Sequence, residues 1–209
     1  MSNYLRLKKM LYVVALAAIA IVIGLIQIPW GFLHLDFSEV VILLALLILG
    51  PKEAMLAAVL RSFVRAMFTG FLDPIILLGE ILALLASFSI IMAYVIVRKI
   101  LHKSEKPFLY EVPVNGNHTS LFEWIISILL ISLSLTITLL VFNTLFSTPM
   151  YYTYFTINNA FSFVQSTGQN WGTYIWSNVV LYVPFNLVKG ASVTILFLLI
   201  KPRIKYLEL

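Results

Sequence analysis

Asn186 and Lys189 stand three positions apart in YVPFNLVKGAS, inside an apolar run from Trp176 to Ile200. An amide both donates and accepts, and an ammonium donates. One helical turn apart on one face, the two groups can read the polar edge of a bound ring. Other segments offer polar groups in equally apolar surroundings. Asn143 interrupts TLLVFNTLF, Asp36 and Glu39 lie in HLDFSEV, Arg61 and Arg65 in AVLRSFVRAMF, and Glu80 in LLGEILALL. A charged side chain at a bilayer centre costs roughly 2.5–3.5 kcal/mol on insertion scales, so such residues face a cavity or a partner. Each residue also has a plain structural alternative. Lys189 can be satisfied by helix-interface carbonyls, and Asn143 by an interhelical amide bond. Asp36 can cap a helix in competition with Ser38. Arg61 and Arg65 serve either ligand contact or structural pairing.

The elements that must position these groups are membrane helices. Of 209 residues, 61% are hydrophobic and 11% charged, against about 25% charged in soluble domains. Mean hydropathy is +1.00. The chain therefore reads as an all-α integral membrane protein, one domain over 1–209. Segments of about 20 apolar residues span a bilayer, and six candidates fall at 10–28, 38–50, 53–71, 74–97, 121–146 and 173–200. The second is short and ends at Gly50-Pro51. The basic N-terminal start precedes too long an apolar run, with no cleavage region after it, so it reads as a retained helix.

Eleven of the 14 basic residues fall on the side of the two termini, which places both termini in the cytoplasm. The remaining three are Arg61, Arg65 and Lys189. Lys189 precedes Lys201 by 12 residues, about 18 Å of helix, which puts it in the outer half of the membrane. Asn186, Asn143, Asp36, Glu39 and Glu80 come to the same level. Trp30, Trp171 and Trp176 lie above them, as do the tyrosines of an uncharged outer loop. A polar floor under an aromatic rim suits a flat, polar-edged heterocycle. Residues 28–38 and 147–172 are the expected gates.

The sequence excludes much else. It has no cysteine, hence no disulfide and no thiolate. His34, His102 and His118 are scattered without metal spacing. The NHT sequon at Asn117 falls on the cytoplasmic side. No P-loop, nucleophile elbow, paired catalytic carboxylates or HExxH gives an enzyme reading a foothold. The pI near 9.4 reflects cations at segment ends, so nucleic acid is not an expected partner.

LDFSEV and PFNLVKG, in this order and topology, resemble the membrane-embedded substrate-binding (S) components of energy-coupling-factor (ECF) vitamin importers. The likeness is to the riboflavin-specific RibU type. It runs from ALAAIAIVI through LDFSEVVILLALLILGP and DPIILLGEILALLAS to VPFNLVKGASVTILFLLIKPR. The resemblance implies six helices with both termini inside, and riboflavin as the transported ligand, with no cofactor. It implies substrate contacts at Asp36, Asn143, Asn186 and Lys189. It also implies as partners a transmembrane coupling subunit and two cytoplasmic ATPases, in a bacterial plasma membrane. Small residues of the first helix, Ala15, Ala17, Ala18, Ala20 and Gly24, would dock that coupling subunit. The chain departs from the riboflavin type at Arg61-Ser62, where the pattern has Lys-Asn, and at Glu80, where it has asparagine. Alternatives are an S component for another vitamin, a stand-alone secondary transporter using Glu80 or Arg65 for ion coupling, and a membrane enzyme. A further expectation is an ion pair between Arg65 and Glu80.

Overall fold

The structure, a computed structural model, describes residues 3–31, 33–101 and 120–206. Helix α1 (Asn3–Gly24) leads into a hairpin of β1 (Gln27–Trp30) and β2 (Leu33–Asp36). Helices α2 (Ser38–Leu49), α3 (Pro51–Thr69) and α4 (Pro74–Ile100) follow. Helix α5 (Leu121–Phe142) continues through a π-helical turn (Asn143–Ser147) into α6 (Thr148–Tyr152). Then come α7 (Ala160–Thr167), α8 (Trp171–Ile200) and a 3-10 turn (Lys201–Tyr206).

Local chemistry sets these boundaries. Gly50 takes φ +107 between α2 and α3, and Pro51 starts α3, where its missing N–H costs nothing. Asp73 caps α4 by accepting from the Ile75 amide. Ser120 caps α5 through the Glu123 amide, and Asn170 caps α8 through the Gly172 amide.

Among the described residues, four helical segments are long and apolar enough to cross a membrane: Arg6–Gly24, Pro74–Ile100, Leu121–Tyr152 and Trp171–Ile204. The expected spans at 38–50 and 53–71 form helices, but neither meets that measure alone. Helix α2 has 12 residues, about 18 Å, and α3 carries Lys52, Glu53, Arg61 and Arg65. The place of α2 in the bundle explains its shortness. Every α2 residue except Leu44 is buried, packed among α1, α3, α4 and α8. A helix sheathed by protein on all sides need not match the bilayer in length or composition.

Three local readings change. The expected loop over 28–38 is largely hairpin: Gln27 pairs with Asp36 and Trp30 with Leu33, and Gly31 turns the chain at φ +64. The first helix accordingly ends at Gly24. The fifth helical path runs to Tyr152 rather than 146. The expected loop over 147–172 contains α6 and α7, joined through Tyr154 (φ +48) and Phe155 (φ +65) in left-handed conformations. Of the basic residues used for orientation, Lys103 and Lys106 lie outside the described residues, as do His102, His118 and Asn117.

Helices α5 and α8 approach closely at Gly190. A Cβ built there would lie 2.7 Å from the Ser132 Cα. Backbone cannot swing aside as a side chain can, so a larger residue must push two helices apart. Overpacking of this kind costs about 1–3 kcal/mol or more. Gly190→Leu is expected to lower the thermal unfolding midpoint in detergent by several degrees; an unchanged midpoint would show that the two helices separate freely.

Candidate functional site

The hairpin, α3, α4 and α8 bring charged groups together at one end of the bundle. Asp36 ends β2. Its Oδ1 accepts from the Ser38 amide at 3.1 Å and from the Ser38 hydroxyl at 2.5 Å. Its Oδ2 lies 3.8 Å from both Lys189 Nζ and Arg65 Nη1. Arg65 Nε reaches Glu80 Oε1 at 3.1 Å, so the expected pair between α3 and α4 is present. Burial pushes the Asp36 carboxyl up, but Lys189, the Ser38 hydroxyl, Arg61 and Arg65 outweigh it and hold the pKa at about 2.

The contacts at 3.8 Å are ion pairs without hydrogen bonds. They balance charge while leaving donors and acceptors unspent. Arg65 Nη1 and Glu80 Oε2 are buried and make no hydrogen bond. The clearest case is Asn186. It has no exposed surface, and neither its Nδ2 nor its Oδ1 has a partner. Leaving a buried polar group unsatisfied costs about 1–3 kcal/mol, and an amide carries two such groups. Asn186 lies one turn from Lys189 on α8, as expected, and its two open groups are aimed at the interior. Asn143 is buried on the π-helical turn, held beside α8 by neighbouring contacts. Among the described residues it is not joined to the other site groups by a hydrogen bond or ion pair. Trp30 meets Phe185 edge-on, with ring centroids 6.4 Å apart, which ties the hairpin to α8 next to Asn186.

Arg61 is enclosed by the protein's own acceptors. It is completely buried and donates to Ser38 Oγ at 2.9 Å, Glu39 Oε1 at 3.0 Å, Ser87 Oγ at 3.0 Å and the Ala83 carbonyl at 3.2 Å. Ser87 in turn donates to Glu39 Oε2 at 2.8 Å. Glu39 is thus spent on Arg61 rather than on the open site. Sequence reasoning offered Ser38 only as a helix cap and passed over Ser87, because a serine in an apolar helix carries no periodic signal. One hint existed: Glu39 and Arg61 both sit in apolar runs and need partners of opposite sign.

The proposed docking residues separate. Ala15 and Ala18 are exposed on α1, whereas Ala17 and Ala20 are buried. Gly24 faces inward, where a Cβ would come 2.8 Å from Arg65 Nη1 and 3.4 Å from Ser38 Cβ. Ala20 and Gly24 therefore let α1 pack against the interior and do not belong to an outward-facing surface.

Two further features frame the site. An apolar groove of ≈ 490 Å³ runs between α4 and the end of α5, lined by Leu77, Ile81, Phe142, Phe146 and Met150 among others. It contains none of the polar set and opens where lipid would lie. At the opposite end of the bundle, Lys201 pairs with Glu123 in a buried contact and lies 5.9 Å above the Tyr94 ring, while Lys9 pairs with Glu53 at 2.8 Å.

Because Arg61 and Glu39 are both buried, removing one strands the other. Arg61→Met is expected to destabilise the protein by about 3–5 kcal/mol. The double change Arg61→Met with Glu39→Gln should recover much of that loss, since no lone charge then remains. Thermal shift in detergent distinguishes the two; a single variant as stable as the parent would remove Arg61 from the scaffold.

Residues 8–201 match the family model described as ECF transporter, substrate-specific component. The chain is also similar to a solved structure of the S component of a bacterial ECF transporter, with a TM-score of 0.62 and 24% identity. That likeness covers 95% of this chain and 96% of the other, and at this identity it speaks for the fold. Among curated proteins, none matches. With the match extending from α1 to the start of the last turn, the chain belongs to the family of substrate-specific components of ECF transporters.

Proposed function

We propose that this protein binds riboflavin from the outer side of a bacterial plasma membrane. It hands the vitamin to an importer driven by a transmembrane coupling subunit and two ATPases. The observation that carries this reading is Asn186, buried with both amide atoms unpartnered one turn from Lys189. An isoalloxazine ring offers an imide edge whose acceptors and donor match an amide and an ammonium. Asp36 and Asn143 complete the contact set. Charge balance supports a neutral ligand: Asp36, Glu39 and Glu80 offset Arg61, Arg65 and Lys189. A phosphorylated flavin would bring an anion to a site whose cations already face carboxylates.

A sister vitamin is the second reading. It is favoured by the Arg65–Glu80 pair, whose Glu80 stands where the riboflavin-type pattern has asparagine, and by Arg61-Ser62, where that pattern has Lys-Asn. Lys189 and Asn186 would serve another polar-edged ring by the same chemistry. In both readings the protein crosses the membrane six times with its termini inside, α2 spanning within the sheath of the other helices. The hairpin and the α6–α7 segment cover the pocket from outside.

Riboflavin is expected to quench the fluorescence of Trp30, Trp171 and Trp176 saturably, while thiamine, biotin and folate do not. Lys189→Ala and Asn186→Ala should each weaken binding about tenfold or more, the loss of a hydrogen bond to a buried partner. FMN should bind more weakly than riboflavin. Quenching by another vitamin alone would reassign the ligand. Silence toward all of them would reopen the ion-coupled transporter that uses Glu80 or Arg65.

Orientation is testable because the chain lacks cysteine. Thr156→Cys should react with an impermeant maleimide on intact cells, and Lys52→Cys only after permeabilisation. The reverse pattern would invert the topology.

A further inference from the structure

The π-helical turn that carries Asn143 has an identifiable cause. Pro149 has no N–H, so the Leu145 carbonyl receives no bond from the residue four places on. The helix widens instead, and the Thr148 amide donates to Asn143, five places back. Thr144 is left with a free carbonyl: its partner four places on is diverted, and the residue five places on is Pro149. That carbonyl accepts a hydrogen bond from the Tyr174 hydroxyl at 2.6 Å.

The same face of α8 makes the neighbouring contacts. The Thr148 hydroxyl donates to Asn178 Oδ1 at 2.7 Å and lies 3.1 Å from the Tyr182 hydroxyl. Asn178 Nδ2 is anchored to the Tyr174 carbonyl at 2.9 Å. Tyr174, Asn178, Tyr182 and Asn186 recur every four residues and are all buried. One stripe of α8 therefore grips the widened turn with its first three members and presents the unpartnered Asn186 with its fourth.

The geometry points to Tyr174 and Thr148 as positioning residues: they clamp the π-helical turn to α8 and so fix Asn143 at a set distance from Asn186 and Lys189. This rests on the ligand reading above for Asn143 and Asn186. The clamp itself does not. A π-helical turn places inserted backbone at sites where a side chain must be re-aimed, and here it is sealed by a hydroxyl that no helix bond competes for.

Tyr174→Phe removes the hydroxyl and keeps the ring, which packs on Phe163 and Trp171 at centroid distances of 5.7 and 6.1 Å. Thr148→Val removes the other hydroxyl at constant shape. Riboflavin affinity is measured by calorimetry for both variants, for Asn143→Ala, and for Asn143→Ala combined with Tyr174→Phe. Amide hydrogen exchange over 143–150 is measured without ligand. Each positioning variant is expected to weaken binding roughly three- to tenfold, the loss of one hydrogen bond. Adding Tyr174→Phe to Asn143→Ala should cause no further loss, because the residue it positions is already gone. Exchange over the turn should quicken in both positioning variants.

A full additive loss in the double variant, or unchanged binding in both positioning variants, overturns the clamp while the pocket stands. Unchanged binding in Asn143→Ala removes Asn143 as a contact, and the positioning role falls with it. If the parent protein does not bind riboflavin, the ligand reading fails and exchange alone decides. Quickened exchange then upholds the clamp, and unchanged exchange overturns it.

Discussion

A guanidinium with no exposed surface, that of Arg61, connects three helices of this bundle. It donates to Ser38 and Glu39 at the start of α2 and to Ser87 and the Ala83 carbonyl on α4. Charge in an apolar medium has no weak option: it is matched on site or it is ruinous. The match fixes α2, α3 and α4 relative to one another in rotation and in height. Through Ser38, whose hydroxyl donates to Asp36, the same arrangement sets where the hairpin ends. The open polar groups inherit their positions from that closed one.

The two networks differ in how completely they are satisfied. Around Arg61 most donors meet an acceptor at about 3 Å, with only Nε unpartnered. Around Asp36 the cations stand at 3.8 Å, and polar atoms of Arg65, Glu80 and Asn186 make no hydrogen bonds. Buried unsatisfied groups are costly: those of Arg65 and Glu80 belong to the Asp36 ion-pair group and those of Asn186 lie one turn from Lys189, while Ser127, Ser132, Thr136 and Ser147 leave further unpartnered hydroxyls along α5 and the turn after it. The hydrogen bonds of Tyr174, Asn178 and Tyr182 to Thr144 and Thr148 form a third arrangement, proposed to aim Asn143 without contacting the ligand itself.

Much of this was legible in the sequence. Apolar runs gave α2, α3, α4 and α8 within about three residues of those observed, while α1 starts at Asn3 rather than 10 and α6 and α7 lie in a stretch read as loop, and proline and glycine gave most of the breaks. Lys189, Asn186 and Asp36 stood out because each is expensive in its surroundings. The Arg65–Glu80 pair followed from two opposite charges needing partners at similar depth. What stayed hidden has physical reasons. Strands of four residues at 27–30 and 33–36 are too short to impose a pattern on a segment that also reads as loop. The π-helical turn depends on one missing N–H at Pro149, which on paper looks like an end. The inward face of α1 could not be told from the outward one, because its apolar residues surround the axis. Ala20 and Gly24 look like docking residues until the fold turns them inward, and Ser87 looks like any helical serine.

The complete enclosure of Arg61 and Glu39 separates what holds the bundle from the groups proposed to read the solute. On the proposed reading, Asn143, Asn186 and Lys189 read the ligand without bonding to Arg61 or Glu39, so substitution there spares that inner lattice and the mouth of the protein can drift toward a new ligand. A scaffold whose rigidity resides away from its recognition surface is evolvable by construction. One skeleton of this kind can serve a repertoire of nutrients.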